Sequence, residues 1–298
     1  MNHKIISKYN PIGYINKGKS CIVKTKDKNI VIKKSDIKVY DYLKSRGFNY
    51  YPSIIEFDNN YIITEYIEEI ETPEDQKILD LIDLVSLLHY KTTYYKDIDD
   101  DEYKKIYEDI KNNIEYLYSY YSEMIDIIEN NEYYSPSEIY LLNNISILYS
   151  CLNYTNNELE KWLEIIENKK RMRYVILHNN LSLDHFLKND KSYLISFDKS
   201  IIDIPIFDLY KLYKRYSYFD FYPIFKRYEK YYKLTKEERL LLFILISLPD
   251  KIELNRDEDN NMDNVIKLFD NIYSSKKLIE EYSNNKEDNE SNKKVENT

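Results

Sequence analysis

The feature that most constrains the fold of this chain is the order of two sequence patterns, strand-type runs first and helical periodicity after them. The first part carries short runs rich in β-branched residues, at 21–25 and 29–33, with turn-forming residues between them. A helix is predicted over 36–45, ended by Gly47. Residues 53–66 then predict a hairpin with its turn at 58–60. The chain therefore begins with a small sheet and one helix.

Helical periodicity replaces this pattern from Thr72-Pro73 onward, where a threonine cap and a proline in the first turn predict a helix start. Long helical patterns cover 103–130 and 137–169. A strand at 174–177, a polar turn and a strand at 193–198 interrupt them, and helices resume from 207 to about 282. The chain is therefore predicted to be an α+β protein.

The same pattern predicts a two-lobed organisation. Residues 1–66 would form a small β-rich N-lobe, and 67–282 a large, mostly helical C-lobe, joined by one strand near Glu65 and Tyr66. Residues 283–298 contain almost nothing apolar and predict a disordered tail. Ligands favour the crevice between two such lobes.

Composition excludes several classes of protein. Only 3 glycines occur, so neither a G-x-G-x-x-G fingerprint nor a G-x-x-x-x-G-K-[ST] loop is present. Two cysteines and 4 histidines exclude a cysteine-rich zinc framework. A net charge of −9 without a basic block argues against a nucleic-acid partner.

Other features predict a cytoplasmic protein without a membrane partner. No long apolar stretch follows Met1, so no signal peptide is expected. The longest apolar run, 240–248, is shorter than the roughly 20 residues that span a bilayer and predicts a buried helix. The absence of alanine and the 34 tyrosines indicate a low-GC genome.

Three segments carry a resemblance to a known family: His178-Asn179-Asn180-Leu181-Ser182-Leu183-Asp184-His185-Phe186, then 194–198, then 203–209. Together they resemble the aminoglycoside phosphotransferase and choline kinase group, most closely its spore-coat CotS-like branch in low-GC Gram-positive bacteria. The resemblance covers about 9–282. It implies a protein-kinase-like fold, a catalytic-loop-like segment over 174–209, and ATP with magnesium as cofactors for phosphate transfer to a hydroxyl.

The sequence departs from the family at the positions that carry chemistry. Asn180 stands where active relatives have the catalytic aspartate, and an amide cannot act as general base. Ser196 replaces a magnesium-binding aspartate, and His185 replaces a magnesium-binding asparagine. A hydroxyl is a weak magnesium ligand, and imidazole prefers softer metals. These replacements indicate a pseudokinase.

A second interpretation keeps the enzyme active. Asp198 lies two residues after Ser196 on the predicted strand, so both side chains would face the same way. Asp198 and Asp184 would then hold a metal in a displaced geometry. In the alternative, Asp184 caps the next helix and Asp198 bonds to backbone.

The resemblance also implies a nucleotide site. Lys33 fits the strand lysine that reaches the phosphates, and Asp36 either pairs with it or caps the following helix. Gly18-Lys19-Ser20 would form the tip of the phosphate-covering loop, although a plain glycine turn between strands would look the same. The backbone at Glu65 and Tyr66 would bond an adenine ring.

Two histidines are expected to be structural. His178 would hold the catalytic-loop-like segment by bonding to backbone, and His89 ends a helix.

Three functions follow from these observations. The first is a spore-coat-type pseudokinase that retains nucleotide binding, located in the cytoplasm or the spore coat. The second is an active ATP-dependent small-molecule kinase, and the third a structural coat or scaffold protein without nucleotide. The expected partners are a nucleotide and an unidentified small molecule or coat protein.

Overall fold

The computed structural model of the chain describes residues 3–58, 60–98 and 100–295. Within these residues the helices are α1 (His3–Ser7), α2 (Ile37–Ser45), α3 (Glu74–Thr92), α4 (Asp100–Glu129), α5 (Pro136–Glu167), α6 (Ile206–Arg215), α7 (Phe221–Tyr231), α8 (Lys236–Ser247) and α9 (Glu258–Val295). The strands described are β1 (Gly13–Lys17), β2 (Ser20–Lys24), β3 (Asn29–Lys34), β4 (Ile54–Asp58), β5 (Tyr61–Glu65), β6 (Tyr94–Asp97), β7 (Arg171–Leu177), β8 (Phe186–Lys188), β9 (Ser192–Leu194) and β10 (Ile201–Asp203).

The chain divides into two compact units. Unit 1 comprises Met1–Tyr94, Arg173–Arg215 and Pro223–Lys233, and unit 2 comprises the remaining segments, 95–172, 216–222 and 234–298. This division by compactness differs from the predicted lobes, because α3 and the catalytic-loop-like segment group with the N-terminal sheet. The lobe boundaries at residues 66 and 282 stay a prediction.

A five-stranded antiparallel sheet in the order β1-β2-β3-β5-β4 forms the first part of unit 1. Its strands alternate as the sequence predicts: Cys21 and Val23 of β2 and Ile30 and Ile32 of β3 are buried in one core. Val31 and Lys33 therefore lie on the opposite face. This alternation fixes which lysine of the Lys33–Lys34 pair shares the face of Val31.

Helix boundaries follow local capping chemistry. Asp36 caps α2 by accepting a hydrogen bond from the Lys38 N–H at 2.9 Å, and Gly47 ends it with a positive φ of 73°. The predicted threonine cap of α3 is wrong. Pro73 occupies the cap position without a side-chain bond, because the Thr72 hydroxyl donates to the Ile70 carbonyl instead.

The predicted strand over 193–198 is wrong beyond Leu194. β9 ends at Leu194, Ser196 has a left-handed backbone with φ 72°, and 197–199 form a 3₁₀ turn. Leu194 and Phe197 are both buried, a spacing of three that a strand cannot give. Ser196 and Asp198 therefore do not share a strand face, and this argument for a displaced metal site fails.

Unit 2 consists mainly of α4, α5, α8 and α9. Capping boxes at Ser135 and Thr235 begin α5 and α8, and Trp162 is fully buried on α5. The apolar run 240–248 lies almost entirely within α8, as predicted. Among the described residues, no helix is long and apolar enough to cross a membrane.

The last helix extends further than the sequence suggested. α9 continues to Val295 and so covers most of 283–298, where a disordered tail is predicted. The segment contains neither glycine nor proline, so no residue breaks the helix. Residues 296–298 lie outside the described part of the chain.

Candidate functional site

A buried carboxylate anchors the catalytic-loop-like segment of unit 1. Asp208, in the first turn of α6, is fully buried and accepts hydrogen bonds from the backbone N–H groups of His178 and Asn179 at 2.7 and 2.8 Å. Asn179 has a positive φ of 60°, which turns both N–H groups toward one acceptor. Asparagine is among the few residues that tolerate this conformation.

His89 completes the surroundings of Asp208. Its Nε2 lies 3.3 Å from the Asp208 carboxylate, and its Nδ1 lies 2.7 Å from the hydroxyl of Tyr228. Burial acts to raise the pKa of Asp208, but the hydrogen bonds that its carboxylate accepts, from His89 and from the Asn179 N–H, contribute to holding that pKa below its usual range. The carboxylate therefore stays charged and joins α3 and α6 to the loop.

His178 makes the backbone contact expected of it. Its buried Nε2 donates to the Ile195 carbonyl at 2.8 Å, while the Ile195 N–H donates to the His185 carbonyl at 2.9 Å. Burial lowers the pKa of His178, so its imidazole is neutral. The ring ties two loops together and is a scaffold group of the site.

The three replaced family positions, Asn180, His185 and Ser196, lie on segments of unit 1 that backbone hydrogen bonds join. The His185 ring contacts the main-chain oxygen of Asn180 at 2.7 Å through Nδ1. Ser196 occupies the left-handed turn after β9. Asp184 is exposed in the 3₁₀ turn Leu183–His185, and Ser182 caps that turn by accepting the Asp184 N–H at 3.1 Å. Asp184 is therefore not the helix cap that the sequence suggested.

The functional feature that the structure adds is an ion pair. Lys33 Nζ lies 2.5 Å from a carboxylate oxygen of Asp198, and their side chains are 17% and 21% exposed. Burial acts to raise the pKa of Asp198, but the hydrogen bond and charge of Lys33, aided by Lys19, hold it below its usual range. The Asp198 carboxylate is therefore ionised, and both side chains keep part of their surface in contact with solvent.

The strand register brings the predicted phosphate residues to this pair. Ser20 on β2 is the register partner of Lys33 on β3, and Gly18 adopts a φ of 58° in the turn between β1 and β2. Lys19 occupies the same turn and its charge acts on Asp198. Lys19 was not among the residues predicted to bind the nucleotide. The signal for it in the sequence is its place in the glycine turn, between two runs predicted to pair as strands.

Asp36 does not pair with Lys33, because its carboxylate caps α2. The family-based expectation of a lysine–helix acid pair is therefore not met, and Asp198 takes that partner's place. In the connector, the N–H of Glu65 donates to Ser53 O at 3.0 Å and that of Tyr66 to Asn29 O at 3.2 Å. These two donors are already used, and adenine binding at the connector stays a prediction.

The residues of the site fit a phosphate better than a magnesium ion. Among the described residues, no group of three or more His, Cys, Asp or Glu side chains is placed to hold a metal. In the described part of the chain, Lys33 contacts a single carboxylate, that of Asp198. Magnesium prefers several oxygen ligands in an octahedral arrangement, so one carboxylate is too few. Two lysines around one carboxylate, in contrast, leave positive charge for an anionic group.

Comparison with solved structures decides the fold. An aminoglycoside phosphotransferase from Alicyclobacillus acidocaldarius matches with a TM-score of 0.70 and 11% identity, over 95% of this chain and 97% of that one. The fold is protein-kinase-like. This confirms the predicted fold class: a small antiparallel sheet at the N-terminus, followed by a large, mostly helical part.

Two further structures are similar at lower scores. An AMP-bound spectinomycin phosphotransferase matches with a TM-score of 0.49 and 12% identity over 94% of each chain. A choline kinase from Streptococcus pneumoniae matches at 0.46 and 14%, over 93% of this chain and 95% of that one. No family model and no curated protein sequence matches the chain.

Proposed function

We propose that this protein is a pseudokinase on an aminoglycoside phosphotransferase-like fold, which binds a nucleotide without transferring its phosphate. The observation that supports it is the Lys33–Asp198 ion pair, together with Asn180 and Ser196 at the family's base and metal positions. Phosphoryl transfer needs metal ions on the phosphates and a group that orients the attacking hydroxyl. Here the amide of Asn180 is no base, and the remaining acid neutralises a lysine.

The scaffold of the site supports retained binding. Asp208, His89 and His178 hold the catalytic-loop-like segment through buried hydrogen bonds. Lys33 and the Gly18-Lys19-Ser20 turn are arranged beside each other on the sheet. Motif resemblance to the spore-coat branch supports a binding or scaffold role, in the cytoplasm or the spore coat, with a coat protein or small molecule as second partner.

A second candidate is an active ATP-dependent small-molecule kinase. The position of Asp198 supports it, because an accessible carboxylate next to Lys33 is where a metal-bound phosphate chain would lie. This candidate requires Asp198 to leave Lys33 and bind magnesium together with ligands from elsewhere. Asp184, exposed on its turn, is the partner that the sequence suggested.

A phosphate-transfer assay separates the two. Labelled ATP is incubated with the protein, with magnesium or manganese, and with aminoglycosides, choline and ethanolamine as acceptors. The proposal expects no transfer above background with either metal. Transfer that is lost in Asp198→Ala and kept in Asp190→Ala, a control in an exposed turn, would overturn it and establish the second candidate.

A thermal-shift titration tests the binding half of the proposal. A ligand that binds the folded state stabilises it by about 2.7 kcal/mol at 100 times its Kd. ADP and ATP are expected to raise the melting temperature of the wild type and of Lys34→Ala, whose side chain points to the other face, but not of Lys33→Ala. No shift with any nucleotide would leave a scaffold protein as the remaining function.

A further inference from the structure

The region around Lys33 contains a charge arrangement that the family resemblance does not account for. One carboxylate, Asp198, is in contact with Lys33 and within electrostatic range of Lys19. The two lysines and one acid sum to a net charge of +1. The two positive groups come from adjacent strands and their turn, whereas Asp198 follows Lys33 by 165 residues along the chain.

We propose that Asp198 is an internal competitor for the phosphate position, so that the site takes a nucleoside phosphate without a divalent metal, held by Lys33 and Lys19. This inference rests on the proposed nucleotide binding. It adds that the binding needs no divalent metal and that Lys19 is a second binding residue. A phosphate has three oxygens and up to two negative charges, so it bonds both lysines better than one carboxylate does. Asp198 must leave Lys33 for this to happen.

The geometry supports such an exchange. The Lys33 and Asp198 side chains are each about four-fifths covered but still reached by solvent. Lys33 is held by β3, whose register partners are Ser20 and Ile62 on the strands to either side. Asp198 lies in a short 3₁₀ turn, Phe197–Lys199, outside the sheet. The carboxylate is therefore the partner that moves more easily.

The metal dependence follows from the same charges. In a magnesium site an acid stabilises the metal-bound phosphate, so removing its charge weakens binding. Here Asp198 repels a metal-free phosphate, so removing its charge strengthens binding. The sign of one substitution therefore distinguishes the two arrangements.

The test measures ADP binding by calorimetry in the presence of EDTA. Asp198→Asn is expected to bind ADP about tenfold more tightly than the wild type, which corresponds to about 1.4 kcal/mol. Asp190→Asn makes the same charge change in an exposed turn and is expected to leave the Kd unchanged. Lys19→Ala is expected to weaken binding about tenfold, and Lys26→Ala, in the next turn, to leave it unchanged.

Two measurements on the wild type do not depend on the folding of a variant. Magnesium is expected to weaken ADP binding or leave it unchanged, because the complex carries less negative charge. ADP is expected to bind more tightly than pyrophosphate, which lacks the nucleoside.

Four results would overturn the inference: weaker or equal binding by Asp198→Asn, tighter binding with magnesium, pyrophosphate binding as tight as that of ADP, or no binding of either probe. The first three results leave the proposed pseudokinase standing, whereas no binding of any nucleotide, or phosphate transfer to an acceptor, would overturn that proposal as well.

Discussion

Replacing Asp208 by alanine removes the acceptor of the buried His178 N–H and the partly buried Asn179 N–H, and the partner of the His89 ring. A buried donor left without a partner costs about 1–3 kcal/mol, so the loss of the two N–H bonds and of the His89 contact together costs at most about 6 kcal/mol. We expect a loss of about 4 kcal/mol in the free energy of unfolding, a large share of the roughly 5–15 kcal/mol that is typical of folded proteins.

Urea unfolding followed by far-ultraviolet circular dichroism measures this loss. Asp208→Asn keeps one acceptor oxygen and turns an NH₂ group toward the other donor, so it is expected to lose about half as much. Asp190→Ala, in an exposed turn, is the control and should change stability by no more than about 0.5 kcal/mol.

A loss below about 1 kcal/mol for Asp208→Ala, with an unchanged dependence on urea, would refute the argument that this carboxylate holds the loop.

Three further predictions concern the same region. Tyr228→Phe removes the hydroxyl that contacts His89 at 2.7 Å. Thermal unfolding should show that the free energy of unfolding falls by about 1–2 kcal/mol, whereas the loss of a hydroxyl without a hydrogen bond would leave it unchanged. Asn179→Ala should be less stable than Asn179→Gly by about 1 kcal/mol, because only glycine adopts a φ of 60° without strain; equal stabilities in urea would contradict this. Because the folded pKa of Asp208 lies below its unfolded value, its stabilisation is present above about pH 4 and is lost as pH falls through the folded pKa. Urea midpoints measured across this range should therefore fall less steeply with acid in Asp208→Asn than in the wild type.

The sequence predicted the sheet and the main helices because their patterns are local. Alternation in β2 and β3 identified the buried face, and it placed Lys33 opposite that face. The motif segments located His178 and its backbone contact, and the element order led to the fold class that the solved structures confirm.

One prediction failed because a short run of apolar residues is compatible with either a strand or a turn. In 193–198, Tyr193, Leu194, Ile195 and Phe197 were interpreted as a strand, whereas the burial of Leu194 and Phe197 requires a turn between them. The Thr72 cap failed because its hydroxyl bonds the Ile70 carbonyl before the helix begins.

The Lys33–Asp198 pair could not be predicted, because no local pattern joins residues 165 positions apart. Sequence reasoning assigned Lys33 to phosphate and Asp198 to metal or backbone. Only the three-dimensional path of the chain shows that the two side chains neutralise each other. The sequence marks Asp208 as part of a motif, but not as the acceptor of the His178 and Asn179 N–H groups.

Each of the two units is built from several separate segments of the chain. This affects the order in which the units form during synthesis and whether recombination can exchange one of them. Unit 1 is interrupted after Tyr94, resumes at Arg173 and ends at Lys233. On the ribosome, His89 therefore emerges well before Asp208, which lies 119 residues later, so the buried contact between them forms late in synthesis. No single cut separates the units. A recombination event with one crossover consequently cannot exchange either unit whole, and a fragment that ends at residue 94 carries the sheet without the acid that anchors the loop.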